Sequence, residues 1–167
     1  SACWWRRIAA CSWSGPTILE SSVGGCGVGT NPVVQGSRPV GGVGGTVVVA
    51  WYNSKTDGWL NGTFQIRTRA SANNGGLFSP AVPAADDIWE TQFWLGPFAF
   101  YHRWWGSMFP DPEIDPKNDL HILYTHVPLN LNATPSSTEQ GNIRYVSCLA
   151  PAYTTCTLPD TVNDDGL

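Results

Sequence analysis

The residues with the type and spacing to do chemistry are few, and each has a plainer explanation beside it. Gly25-Cys26-Gly27 sets a thiol between two glycines whose backbone amides are free to turn toward a developing oxyanion, as a cysteine hydrolase requires. One hydrolase order places the histidine before the nucleophile, but His102, His121 and His126 all follow Cys26. The opposite order, Cys26 then His126 then Asn142, is compatible, yet the tryptophan and glutamine neighbours of such sites are absent, so a glycine-rich loop accounts for Cys26 more simply. Ser12-Trp13-Ser14-Gly15 lacks the leading glycine of a nucleophile elbow. His121 and His126 are separated by an odd number of positions, which on a strand sends them to opposite faces and away from a shared metal. Asp111, Glu113 and Asp115 alternate between prolines and could turn together toward a hard cation, but no EF-hand pattern surrounds them and a solvated acidic loop suffices. The expectation is a chain with no catalytic residue, no metal and no cofactor.

Binding residues are more conspicuous. Nine tryptophans among 167 residues is an excess, and indole rings concentrate where flat surfaces meet sugars or protein partners. Adjacent rings such as Trp4-Trp5 and Trp104-Trp105 cannot both face one way along a strand, so Trp4, Trp5, Trp51, Trp59, Trp104, Trp105 and Tyr101 are the interface candidates. Asn61-Gly62-Thr63 and Asn132-Ala133-Thr134 match the glycosylation acceptor pattern, which makes Asn61 and Asn132 candidates for a glycan. Five cysteines leave at least one thiol free or paired outside the chain. The spacings of Cys3 with Cys11 and of Cys148 with Cys156 each permit a local bridge without demanding one.

These residues must be held by a scaffold that composition already narrows. The chain is 42% apolar and 13% charged, which is enough to fold and too little charge for a disordered acidic tail. A net charge of -4 with two lysines leaves no footprint for a phosphate backbone. No apolar run approaches the roughly 20 residues of a membrane-spanning helix, and no hydrophobic signal core is visible at the start. Glycine density over residues 1–45 removes helix there and leaves loops, bends or edge segments. Thr46-Val47-Val48-Val49-Ala50-Trp51-Tyr52 reads as a strand buried on both faces, and in residues 62–69 Phe64 and Ile66 alternate with Gln65, Arg67 and Arg69 as a half-buried partner. Residues 86–95 predict a short amphipathic helix with acidic residues at its start. Residues 98–106 predict an aromatic strand, 109–116 an extended proline loop, 120–127 and 143–149 further strands, and 160–167 a solvated tail. No repeat at a fixed period is apparent. The fold class is all-β, an antiparallel β-sandwich or jelly-roll-like domain with long Gly/Pro loops. One domain spans 1–167, with a possible sub-boundary near 81–86 between a glycine-rich β segment and an aromatic-rich one.

Residues 46–53, a polar loop, and then Phe64-Gln65-Ile66-Arg67-Thr68-Arg69 running through Asn73-Asn74-Gly75-Gly76 to Phe78-Ser79-Pro80 resemble the closing strand pair of the jelly-roll capsid proteins of picornavirus-like small RNA viruses. Trp105-Gly106-Ser107 is similar to the close of their aromatic strand, although here it follows the pair and in the family it precedes it. The resemblance implies a structural subunit of an icosahedral shell. Its partners would be copies of itself or related capsid subunits, met through the aromatic residues above, and its location the virion. The alternative is a secreted, extracellular β-sandwich that binds carbohydrate through exposed tryptophans.

Overall fold

The structure, a computed structural model, describes residues 15–21, 32–56, 63–89, 109–126 and 142–163. Among them run eight strands: β1 (Val34–Gly41), β2 (Val47–Asn53), β3 (Thr63–Ser71), β4 (Val82–Trp89), β5 (Asp111–Ile114), β6 (Leu120–His126), β7 (Asn142–Cys148) and β8 (Asp160–Thr161), with one 3-10 turn at Val43–Gly45. They form two four-stranded antiparallel sheets, ordered β1-β2-β3-β4 and β5-β6-β7-β8. The sheets share a single core, so the expected all-β sandwich is present. Within each sheet every strand neighbours its predecessor in the chain, which makes each sheet a meander. A jelly roll, built from two Greek keys, would interleave sequence-distant strands.

β-branched and aromatic residues make β2 a strand, and strict alternation makes β3 one. Val48, Ala50 and Tyr52 of β2 and Phe64 and Ile66 of β3 are buried with Ala84, Ala85 and Ile88 of β4, and the second sheet meets them with Leu120, Ile122, Tyr124, Val146 and Cys148. Each large side chain so buried contributes about 1.5–3 kcal/mol. Tyr52 sets its ring edge-on to Phe64 at 5.8 Å between centroids and tilts against Phe109 at 6.1 Å. Phe109 fits because β1 bulges between Gln35 and Arg38, where Gly36 takes φ +65° and a Cβ would overlap the Phe109 ring. The glycine-rich start of the chain thus supplies an edge strand, as expected of it. Cys148 and Cys156 form a disulfide that ties the end of β7 to the segment before β8.

Three expectations are corrected. Residues 86–89 continue β4 instead of opening a helix: Phe64 pairs with Ile88 and Ile66 with Ala85, and Asp86 turns outward to an ion pair with Lys55 and a 2.9 Å hydrogen bond from Gln65. The acidic residue that resembles a helix start is therefore the wet side of a strand. Residues 111–114 form β5, whose Pro112 is tolerated because β5 is an edge strand. Asp160–Thr161 pairs with Arg144 and Tyr145 as β8, where a solvated tail was expected. The aromatic strand expected at 98–106 lies outside the described residues.

The two sheets are repeats of one unit. Five-residue turns, 42–46 and 115–119, close the first hairpin of each. In each turn the first amide donates to the last carbonyl (Gly42 to Thr46, 2.8 Å; Asp115 to Asp119, 3.0 Å), and the fourth residue is left-handed (Gly45, φ +82°; Asn118, φ +69°). Ladder partners then match position for position. Pro39 opposite Val49 corresponds to Pro112 opposite Ile122, and Trp51 opposite Arg67 corresponds to Tyr124 opposite Arg144. A fixed sequence period does not appear because the loops between β2 and β3 and between β6 and β7 differ in length.

The correspondence also fixes how the sheets stack. Leu120, Ile122 and Tyr124 face the core, yet their counterparts Val47, Val49 and Trp51 lie on the face of β2 turned away from it. One sheet therefore lays its front on the other's back, a heterologous contact.

Burial pushes the Tyr124 hydroxyl up to about 12, against the opposing pull of Arg144. A folded value above the unfolded one of about 10 gives stability that is complete below pH 10 and lost as pH rises through the folded value, on the order of 2 kcal/mol in all. Chemical denaturation of wild type and Tyr124→Phe between pH 9 and 12.5 checks this, with a smaller loss expected for the variant.

Candidate functional site

The outer face of the first sheet is shaped by β3, where alternation sends Arg67 and Arg69 to the side opposite Phe64 and Ile66. Residues 15–21 cross this face. Glu20 accepts from the Trp51 indole nitrogen with one carboxylate oxygen and from Arg67 Nη1 with the other. Arg69 donates through Nη1 to the Leu19 carbonyl and through Nε to the Ser79 carbonyl. Trp51, 2% exposed, is thus enclosed within its own chain by an acidic strap. A carboxylate shared by a guanidinium and an indole N–H is a charge-assisted contact in a partly dry setting.

The outer face of the second sheet carries no such strap among the described residues. Parity places His121, Leu123 and Thr125 of β6 on it beside Ser147, Tyr145 and Ile143 of β7. Leu123 is 42% exposed and Ile143 40%. His121 stacks on Tyr145 with 5.9 Å between ring centroids, and its Nδ1 meets the Tyr145 hydroxyl at 2.5 Å. His121 Nε2 lies 3.7 Å from Asp115 Oδ2, while Glu113, its ladder partner on β5, is exposed. Burial works to raise the Asp115 carboxyl, but the amides of Asp119 and Lys117, each 2.8 Å from Oδ1, and His121 outweigh it and hold it below its ordinary value. The face is a shallow apolar and aromatic platform with an acidic edge at Asp111 and Glu113.

At the hairpin ends the two repeats are stapled. Asn118 accepts from the Val43 amide at 2.9 Å and donates Nδ2 to the Val43 carbonyl at 3.3 Å, and Tyr153 donates its hydroxyl to the Asn118 carbonyl at 2.8 Å. Burial raises the Tyr153 hydroxyl, and the Asp119 and Asp115 carboxylates add to that. A cavity of about 520 Å³ opens here between Ser71, Ser79, Lys117, Asn118, Ala150 and Tyr153.

Of the residues singled out from sequence, Trp51 alone among the interface candidates is described, and it faces the strap. Trp4, Trp5, Trp59, Trp104, Trp105 and Tyr101 lie outside the described residues, as do Cys26, His102, Asn61 and Asn132. His126 and Asn142 are ladder partners, but the thiol they would serve is not among the described residues. His121 and His126 occupy opposite faces of β6, in keeping with their spacing. Asp115 spends its carboxylate on turn amides, and no group of three His, Cys, Asp or Glu among the described residues is placed to hold a metal. Sequence reasoning passed over Glu20, Arg69 and Asn118, whose partners are remote in the chain. No protein-family model, curated protein or solved structure matches the chain.

The Asn118 staple is separable from its backbone. Asn118→Ala removes both side-chain bonds and keeps a Cβ at positive φ without the local amide that eases it, costing about 2–3 kcal/mol, whereas Asn118→Gly relieves the φ penalty and costs about 1 kcal/mol less. Urea denaturation of the pair reads the difference.

Proposed function

We propose that this chain is a non-catalytic assembly module whose work is done by sheet faces, joining copies of itself into a larger structure. The observation that carries the reading is the heterologous stack: the face of the second sheet that exposes Leu123 and Ile143 corresponds, position for position, to the face of the first sheet that buries Ala50 and Ile66. Front-to-back contacts do not close on themselves as a twofold does; they continue into rings or filaments. Arrays of repeats need their terminal faces covered, and an apolar sheet face left in water is an invitation to a partner.

The resemblance of residues 46–80 to the closing strand pair of picornavirus-like capsid proteins supports setting this assembly in a virion shell, where subunits meet through aromatic contacts. β2 and β3 are an antiparallel pair, and the meander order of the sheets departs from the jelly roll of that family. The Cys148–Cys156 disulfide supports an oxidising location, virion surface or extracellular.

Sedimentation velocity over a hundredfold range of concentration tests the reading. Growth to larger species is expected, and Leu123→Asp or Ile143→Asp should weaken it about tenfold or more by placing a charge in the contact. A monomer that persists at every concentration, salt and pH counts decisively against it, and a tryptophan fluorescence shift saturating with one sugar would move the assignment to carbohydrate binding.

A further inference from the structure

Two sheet faces in this chain have no sheet against them among the described residues: the outer face of the second sheet, and the outer face of the first beneath residues 15–21. Building on the assembly reading above, the geometry points to these two faces as each other's partners. A second copy of the chain sets the outer face of its β2 and β3 on the outer face of β6 and β7 in its neighbour, and residues 15–21 are a strap that lifts to permit it.

The junction inside one chain is the template for the junction between two. There, Leu120, Ile122 and Tyr124 share a core with Ala50 and Ile66. By ladder position, Val47, Val49 and Trp51 of the next copy replace the first set, and Leu123 and Ile143 replace the second. Arg67, the counterpart of Arg144, travels with the incoming face, together with Arg69. Inside one chain β5 lies against β1 and β7 against β4, so the incoming β3 comes to rest over β7 and β8, where exposed Asp160, the ladder partner of Tyr145, stands on the receiving face, and basic meets acidic.

The strap already supplies the incoming face with the chemistry that carboxylate offers. Its hold on β2 and β3 is polar, from Trp51 and Arg67 to Glu20 and from Arg69 to the Leu19 carbonyl, while Ile18 points away at 75% exposure. A carboxylate from a neighbour can take the place of Glu20 without leaving a buried cation unpaired. The strap therefore competes with assembly and sets its strength.

Cross-linking tests both halves. In a background of Cys3→Ser, Cys11→Ser and Cys26→Ser, with folding verified by circular dichroism, Val49→Cys and Leu123→Cys chains are prepared separately and treated with a short bismaleimide, alone and mixed. A 49-to-123 product in the mixture only, identified by peptide mass, is expected. Leu123→Cys linking to itself overturns the pairing in favour of a twofold. Association that persists in sedimentation without the 49-to-123 product also overturns it while leaving the assembly reading intact, whereas absence of any association overturns both. Glu20→Ala, which frees the strap, should tighten association about tenfold; unchanged or weaker association overturns the competing role of the strap.

Discussion

The structure depends on one contact, the front of a four-stranded sheet laid on the back of another built to the same plan. That contact gives every inward position a double duty, since the residue types that suit one sheet's front must fit the other's back. Val48, Ala50 and Tyr52 on one side and Leu120, Ile122 and Tyr124 on the other answer it with a small-to-large complement around a single core. Because the two sets occupy opposite faces of equivalent strands, no internal twofold axis relates the sheets, and each leaves a different face outward.

Polar groups are disposed to serve that contact. The Asn118 side chain ties one hairpin turn to the other, so the ends of the two sheets keep step where the core thins out. Glu20 takes Arg67 Nη1, and the Leu19 and Ser79 carbonyls take Arg69 Nη1 and Nε, while Arg67 Nε stays buried without a partner among the described residues. On the second sheet His121 is held between Tyr145 and Asp115, a fixed aromatic surface in place of a mobile one. Rigid, amphipathic groups of this kind lose little freedom on contact with a partner.

Much of the scaffold was legible from period alone. Alternation located β3, and the β-branched run located β2, because both signals are local. The same reasoning misplaced β4: acidic residues before an apolar cluster mark a helix start only when nothing pairs with them, and here Lys55 and Gln65, brought alongside by β2 and β3, claim Asp86. Three prolines near residue 112 suggested a loop because the edge position that tolerates Pro112 is set by topology. The repeat was hidden for a related reason. It lives in ladder register and turn geometry, where Trp51 answers Tyr124 and Gly45 answers Asn118, and unequal loops erase it from the linear spacing. The strap was invisible because Glu20 and Arg67 are remote in sequence and neither belongs to a recognisable pattern.

The matched prolines of the two edge strands bear on what this chain avoids. β1 and β5 each begin a sheet, and each carries proline at the same rung, Pro39 and Pro112, where no amide hydrogen is available to an intruding strand. The bulge at Gly36 further twists the first of these borders out of register with a straight template. A strand from another molecule that tried to extend either sheet along these two borders, the geometry from which cross-β fibrils grow, would therefore meet a missing donor at the same rung.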